Sequence, residues 1–469
     1  MNITQLQTLL PSHTLKEQLP AWYHIGASHR LIELTNKPEA KCLRHLHKVQ
    51  SVRDVKTIAS TNCRGHKPKK NCKGTQCTVT RTATHCKNPH KCRLMAQQII
   101  QTLQLKWDPD VNPPQDNLNL TPRRKSNNKQ AEENRGPRIF DPNVTTNNIK
   151  EGFRVFIDPQ LICPAPAIRT DQPEQDEQTL VVYTDGSCIN PGTNNAQAGS
   201  GIWYSENDQR NQSLRVPGEE QTNQIAELYA VLQAAKSAPR HVPLVIRTDS
   251  EYVIRGLTKN LEKWEDKGWI GISNSYLFKA IAGWLRFRGN TTTLQWIKGH
   301  SGEPGNEAAD KKAAEGALLP SEEKMDLITP ANFVHTGAKL SCMSQAELYK
   351  GILEQETTKE RQGTKIQLDI TRWAVQDLNS QQPTNAKIWK SIQNKDITRS
   401  IRELLWKCLH NAHKCGKFWE KIPNFEQRSI CPSCKIEESM EHILLECIAP
   451  GQATIWNIAK TLWQLKHNN

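Results

Sequence analysis

The chain has 469 residues, enough for two to four domains, yet only 36% of them are hydrophobic, so part of its length is expected outside any packed core. A formal net charge of +14 suits a polyanionic partner, with nucleic acid first and an anionic membrane surface second. No run approaches the roughly 18 apolar residues of a membrane span, and the opening MNITQLQTLLPSHTLKEQLP lacks the apolar core of a secretory leader. The expectation is an intracellular chain, nuclear or cytoplasmic, whose 14 cysteines are reduced and, where clustered, read as metal ligands before disulfides.

In chain order, residues 1–60 carry weak amphipathic patterns and no chemistry that can be named. Residues 61–92 hold Cys63, His66, Cys72, Cys77, His85, Cys86, His90 and Cys92, interleaved with Lys67, Lys69, Lys70, Lys73, Lys87 and Lys91. Their spacing matches no defined pattern. They read either as ligands for one or two zinc ions or as a basic flexible arm, and both versions favour phosphate contacts. LMAQQIIQTLQL at 94–105 reads as a short helix closing an N-terminal region over 1–107. Residues 108–179 are expected to form a mostly disordered linker. They include the Asn-, Pro- and charge-rich 108–150, with TPRRKSNNKQ, and the acidic DQPEQDEQ at 171–178.

From Leu180 the pattern becomes regular. TLVVYTDGS is a buried-strand run, and GSGIWYSE and NQSLRVPG alternate as two more strands. Ile225, Leu228, Tyr229, Leu232 and Ala235 recur at helical spacing behind Thr222 or Asn223 as cap. PLVIRTDS is a fourth strand, followed by helices near 250–257 and 274–286. TTTLQWIKG is a fifth strand, and NEAADKKAAEGA a last helix with Asn306 as its expected cap. The order βββαβαβα gives an α/β fold, a mixed five-stranded sheet with helices packed on it, over 180–317. Residues 318–390 read as linker and helices, and 391–469 as a helical, Trp-containing module ending near a second Cys/His cluster. No internal repeat is evident.

Two strands end alike, YTDGS at Asp185 and RTDSE at Asp249. An aspartate at the C-terminal end of a strand faces the crevice where α/β folds do chemistry, although either one alone could be an ordinary helix cap. Glu227 is expected in the first turn of the intervening helix and Asp310 in the first turn of the last, where each could also be a carboxylate favoured by the helix dipole. Four carboxylates in one crevice repel unless hard cations neutralise them, and Mg²⁺ is the natural choice beside phosphate. A pair of such ions can clamp an in-line phosphodiester displacement, which agrees with the basic surface.

YTDGSCINPG, TNQIAELYA, RTDSEYVIRGL and KGHSGEPGNEAAD stand in the order, and at nearly the spacings, of the type 1 ribonuclease H family, which residues 180–317 therefore resemble. The resemblance implies that Asp185, Glu227, Asp249 and Asp310 bind two Mg²⁺ ions, with Mn²⁺ as a substitute. It also implies that the RNA strand of an RNA–DNA hybrid is cut to leave 3′-hydroxyl and 5′-phosphate ends. His300, between Gly299 and Gly302, matches the family's mobile loop histidine, which moves protons or assists release. By the same resemblance Asn190, Asn223 and Gln224 touch the RNA strand, and Thr222 and Asn274 hold a DNA phosphate. Tyr252, Trp264 and Trp269 line a channel for the DNA strand, Trp269 being equally readable as core. Asn260 replaces a channel aromatic, Glu220 stands where some cellular members are basic, and DGSCINPG is one residue shorter than in many members.

CPSCKIEESMEHILLEC gives Cys431, Cys434, His442 and Cys447 in a C-x2-C-x7-H-x4-C spacing that fits tetrahedral zinc, with His and Cys expected on a helix after the knuckle. With SIRELLWKCLHNAHKCGKFWEKI before it, this stretch resembles the zinc-binding segment that follows the ribonuclease H domain in non-LTR retrotransposon reverse transcriptases. The expectation is a retroelement-derived, fungal-looking protein that hydrolyses RNA in RNA–DNA hybrids. The alternative is a catalytically silent nucleic-acid-binding protein.

Overall fold

The structure is a computed structural model describing residues 5–62, 64–111, 116–169, 178–193, 195–320, 324–356 and 361–467. Cys63 and all but the last residue of the acidic stretch at 171–178 lie outside the described residues. The chain divides into two compact units, 1–191 with 196–356, and 192–195 with 357–469. Among the described residues no helix is long and apolar enough to cross a membrane.

The first unit opens with short helices, among them α1 (Pro38–His45), α2 (Val52–Ser60), α3 (Thr75–Thr84) and α4 (Pro89–Ile100). Helix α2 starts in a capping box, in which the Ser51 hydroxyl accepts from the Asp54 amide and the Asp54 carboxylate accepts from the Ser51 amide. Asn88 caps α4, with Pro89 in its first turn. Leu43, Val55, Met95, Ala96 and Ile99 meet in one core with Ala21 and Trp22.

The expected disordered linker is instead largely structured. Thr121 caps α5 (Pro122–Glu133), a helix that buries none of its side chains, which is why no apolar period announced it. Asn128 on α5 donates from Nδ2 to the carbonyl of Ile139 at 2.7 Å and accepts from that residue's amide at 2.9 Å. These bonds fix a two-residue strand, β1 (Arg138–Ile139).

The sheet therefore has six strands rather than five. To β1 are added β2 (Leu180–Ile189), β3 (Gln197–Trp203), β4 (Gln212–Arg215), β5 (Leu244–Thr248) and β6 (Thr292–Trp296), in the spatial order β1-β6-β5-β2-β3-β4. Strands β2, β5 and β6 run parallel, with Val181 opposite Val245 and Val245 opposite Thr293. β3 returns antiparallel on β2, β4 on β3, and β1 on the outer side of β6.

Helix α6 (Asn223–Ser237) is apolar almost all round because it lies between the sheet and another helix. Three helices follow β5: α7 (Glu251–Leu257), α8 (Leu261–Asp266), which the sequence pattern did not suggest, and α9 (Ser275–Phe287), which packs against α6. Val182, Ile246 and Leu294 from the parallel strands join Ile225, Leu228 and Ile281 in the main core. Alternate residues of β3 face opposite ways: Ser200 donates to the Ala226 carbonyl on α6 at 2.6 Å, while Gly201 backs onto Ala309 of α10 (Pro304–Ala317). The sheet is thus covered on both faces.

Helix α10 starts three residues earlier than its expected cap implies. Glu303 is its N-cap, Pro304 opens it, and Asn306 is a buried residue inside it rather than the cap. Tyr183 donates its hydroxyl to Glu303 at 2.7 Å and anchors this start.

The second unit holds α11 (Gln362–Asn379), α12 (Asn385–Ser391) and α13 (Arg399–Leu409), whose Leu368, Ile388 and Leu409 form a small core with Ile392 just past α12. The chain then winds through the second Cys/His cluster into a final helix, α14 (Gln452–His467).

Candidate active site and cysteine clusters

Asp185 is 7% exposed and lies within β2, which does not end there as expected but runs on to Ile189 because β3 keeps pairing with it after the pairing with β5 stops at Tyr183. Its Oδ1 accepts the Gly186 amide at 2.7 Å. A Cβ on Gly186 would lie 2.4 Å from the backbone nitrogen of Glu227, so the missing side chain is what lets α6 bring its glutamate down to the strand. Glu227 is the fifth residue of α6, in its second turn rather than the first as expected. Its Oε1 accepts from Asn223 Nδ2 at 3.2 Å, and its Oε2 accepts from the Ser250 hydroxyl. Asp249 follows the last residue of β5, and the Trp296 indole donates to its backbone carbonyl at 2.9 Å. A Cβ on Gly299 would lie 2.5 Å from Asp249 Oδ2, so this glycine admits the His300 loop beside the carboxylate. Asp310 is the seventh residue of α10, again beyond the first turn, because the helix begins at Pro304.

The carboxylates act on one another electrostatically. Burial pushes Asp185 up to about 8, and repulsion from Asp249, Asp310 and Glu227 adds to it, against the Gly186 amide. Burial likewise raises Glu227 and Asp249, and Asp249 repels Glu227 as Asp310 repels Asp249. Among the described residues no lysine or arginine forms an ion pair with any of the four, and His300 Nδ1 stands 3.8 Å from Asp310 Oδ2. His300 is 83% exposed with a φ of +50°, on a loop whose Gly302 also has positive φ. Oxygen-only donors short of positive charge fit a hard divalent cation. Among the described residues the four carboxylates are less tightly gathered than the cysteine sets below.

Thr222, Asn223 and Gln224 are exposed at the N-terminal end of α6, where the Thr222 hydroxyl accepts the Ile225 amide at 3.2 Å. Asn190 follows β2 with a φ of +50°. Asn274 caps α9 in the left-handed region and donates to the Tyr252 hydroxyl at 3.2 Å. Tyr252 and Trp264 are half-buried against Phe278. Trp269 is buried in the main core, which resolves its double reading in favour of packing. Ser250 was missed at the sequence level as a partner of Glu227. Its place directly after Asp249 in RTDSE was the available signal.

In the second unit Cys431, Cys434, His442 and Cys447 converge, each offering a ligand atom within 4.8 Å of the others. The Sγ of Cys447 lies 3.8 Å from those of Cys431 and Cys434. The Cys434 amide, with help from His442, pulls the Cys431 thiol down to about 6. His442 sits in a single π-helical turn, His442–Glu446, with Cys447 just past it, rather than on a regular helix. In the first unit two further sets form: Cys42, His47, Cys86 and Cys92, and His66, Cys72 and Cys77. His85 and His90 stand outside both sets. Cys42 and His47 were not foreseen. A second Cys and His ahead of the lysine-rich stretch was the only hint.

A family model described as RNase H matches residues 177–318. Ribonuclease HI of Pseudomonas aeruginosa is 35% identical over 159 residues, 31% of this chain and 98% of that protein. Ribonuclease H of Schizosaccharomyces pombe is 40% identical over 141 residues, 29% of this chain and 52% of that one. Mouse Ribonuclease H1 is 35% identical over 159 residues, 33% of this chain and 55% of that one, so the chain spans about half the length of these eukaryotic relatives. With a bacterial member aligned over nearly its whole length, the chain belongs to the ribonuclease H family, a family of hydrolases.

Proposed function

We propose that residues 180–317 hydrolyse the RNA strand of RNA–DNA hybrids endonucleolytically, leaving 3′-hydroxyl and 5′-phosphate ends. The observation that carries this reading is that Asp185 within β2, Asp249 just past β5, Glu227 on α6 and Asp310 on α10 lie close enough for burial and carboxylate repulsion to raise the first three. These four residues would hold the divalent cations, Mg²⁺ or Mn²⁺, whose presence supplies charge neutralisation and Lewis-acid activation of water at a phosphodiester. Ser250 and Asn223 orient the Glu227 carboxylate through their hydrogen bonds. His300, exposed on its glycine-flanked loop beside Asp310, carries protons to and from the site.

Recognition of the hybrid needs a test for the 2′-hydroxyl, which short polar side chains provide. Asn190, Asn223 and Gln224 are assigned to the RNA strand, Thr222 and Asn274 to a DNA phosphate, and Tyr252 and Trp264 to the DNA strand. Cys431, Cys434, His442 and Cys447 are assigned to a closed zinc site with a structural or nucleic-acid-binding role. Support comes from sulfur separations of 3.8 Å, where tetrahedral zinc–thiolate bonds of about 2.3 Å place sulfurs about 3.8 Å apart. The order of ribonuclease H residues followed by this cluster supports a retroelement origin.

The test is cleavage of a labelled RNA–DNA hybrid with and without Mg²⁺, beside RNA and DNA duplexes, with Asp185→Asn in parallel. Metal-dependent cutting of the hybrid's RNA strand alone, abolished by the substitution, is the expected result. Tight binding without cutting, in Mg²⁺ and in Mn²⁺, would replace the enzyme by a silent binder.

A further inference from the structure

The N-terminal lobe gathers five cysteines and two histidines into two tight sets that the proposed hydrolysis does not use. In the first, Cys42 on α1 and His47 just after it meet Cys86, between α3 and α4, and Cys92 in the first turn of α4. All four offer ligand atoms within 4.8 Å of one another. The Sγ of Cys86 lies 3.6 Å from that of Cys42 and 3.6 Å from that of Cys92. A disulfide would bring one such pair to about 2 Å. Two equal separations around one sulfur match instead the spacing of about 3.8 Å that thiolates adopt around one tetrahedral zinc. His47 keeps its Nε2 sealed from solvent without a hydrogen-bond partner among the described residues. A buried, unsatisfied imidazole nitrogen at a thiol cluster is costly unless a ligand completes it.

The second set has its own geometry. His66 Nδ1 lies 3.5 Å from Cys72 Sγ and 3.5 Å from Cys77 Sγ, close to the roughly 3.6 Å that nitrogen and sulfur ligands take on one tetrahedral zinc. Its Nε2 is 3.0 Å from His90 Nδ1. With Nε2–H donating to His90, the Nδ1 lone pair is turned toward the sulfurs, the kind of outer partner that fixes a ligating histidine. Cys72 Sγ accepts the amides of Lys67 at 3.2 Å and Gly74 at 3.3 Å, bonds that favour a thiolate. His47 from the first set and His66 and Cys77 from the second line one cavity of about 160 Å³, so the two sets are neighbours.

We infer that the N-terminal lobe is a two-zinc module, with one ion held by Cys42, His47, Cys86 and Cys92 and a second by His66, Cys72 and Cys77. Mixed thiolate and imidazole donors at single-ion spacing select zinc over hard cations. Each bound thiol releases its proton to solvent, and the histidines bind neutral. The first ion joins segments 44 residues apart, so it supports a lobe built from short helices. The second ties the exposed Lys67, Lys69, Lys70 and Lys73 loop to α3.

The test uses the full chain purified under reducing conditions without chelator. Metal content is measured, and cysteine alkylation is mapped by mass spectrometry before and after a zinc chelator is added. Chelator-dependent exposure of Cys42, Cys86 and Cys92, and of Cys72 and Cys77, is expected, with two zinc ions beyond any bound at Cys431, Cys434 and Cys447. Cys342, exposed and outside every set, serves as the chelator-independent control. Cys42→Ser should release one ion and leave the Cys72 and Cys77 protection intact. If that variant does not fold, the alkylation map of the parent chain still decides. Alkylation unchanged by chelator, or a disulfide among Cys42, Cys86 and Cys92 in the native chain, would overturn the proposal. Protection confined to one set would remove the other ion. None of these outcomes bears on hybrid cleavage, which is read separately.

Discussion

Glu265 and Arg286 face each other as a two-pronged pair, Nη1 to Oε1 and Nη2 to Oε2, each at 2.6 Å, with both side chains almost sealed from water. The pair ties α8 to α9, the helix that covers α6, and Arg154 donates to the Glu265 carbonyl at 2.5 Å. Removing one partner of such a pair strands the other charge. Glu265→Ala is expected to cost about 3–5 kcal/mol. Urea unfolding followed through the nearby Trp264 and Trp269 reads it. A loss under roughly 1 kcal/mol would mean that water reaches Arg286 readily.

The contact between Gly186 and α6 sets a second expectation. The atoms nearest a Cβ at position 186 are backbone atoms of Ala226 and Glu227, which cannot swing aside. Gly186→Ala should cost about 1–3 kcal/mol and move Glu227 away from the other carboxylates. Hybrid cleavage should fall more steeply than thermal stability. Unchanged turnover would show that the helix is not held against the strand as described.

His300 offers a third. Its side chain is exposed and meets the site through Asp310 at 3.8 Å and through the charge of Asp249, so His300→Ala should leave folding intact. The turnover number should drop about 100-fold, the lower end of what a positioned acid–base group contributes, with hybrid affinity little changed. A parallel loss of affinity would point to a binding role instead.

His24 gives the pH dependence. Burial holds its pKa down to about 4 from 6.5, its Nδ1 accepts the Gly26 amide at 3.0 Å, and its ring packs edge-on against Trp107. The folded chain keeps this imidazole neutral, whereas the unfolded chain protonates it near 6.5. Its contribution is complete above that pH and is lost as the pH falls toward 4, by up to about 3 kcal/mol. Urea midpoints measured between pH 7 and pH 4.5 should therefore fall more steeply for the parent than for His24→Asn. Equal slopes would remove His24 as the cause.

The strands of the main sheet and the motifs around Asp185, Asp249 and His300 were legible because they rest on local signals: apolar runs, a Thr-Asp pair at a strand end, glycines beside a histidine. What escaped were features settled by tertiary contact. β1 has two residues, too few for any periodicity, and exists because Asn128 and β6 hold it. Asn306 had the chemistry of a cap, but Tyr183 holds Glu303 in that place. Glu227 and Asp310 fell one turn deeper than expected, a boundary shift that left them on the site. Cys42 and His47 stand 39 to 50 residues ahead of Cys86 and Cys92, too far for a spacing rule to couple them.

β1 has a practical bearing on where this protein can be cut. The residues that match the family begin at 177, yet the outer side of β6 is paired with Ile139 and Arg138. Arg138 also pairs with Glu251 at 2.9 Å, and Arg135 lies over the Trp296 ring. A fragment trimmed to the matched segment would leave the backbone amides and carbonyls of β6 open along one side, an invitation to pair with another copy. A fragment that keeps all six strands and the helix that holds β1 must therefore begin no later than Pro122, about 55 residues before the matched segment does.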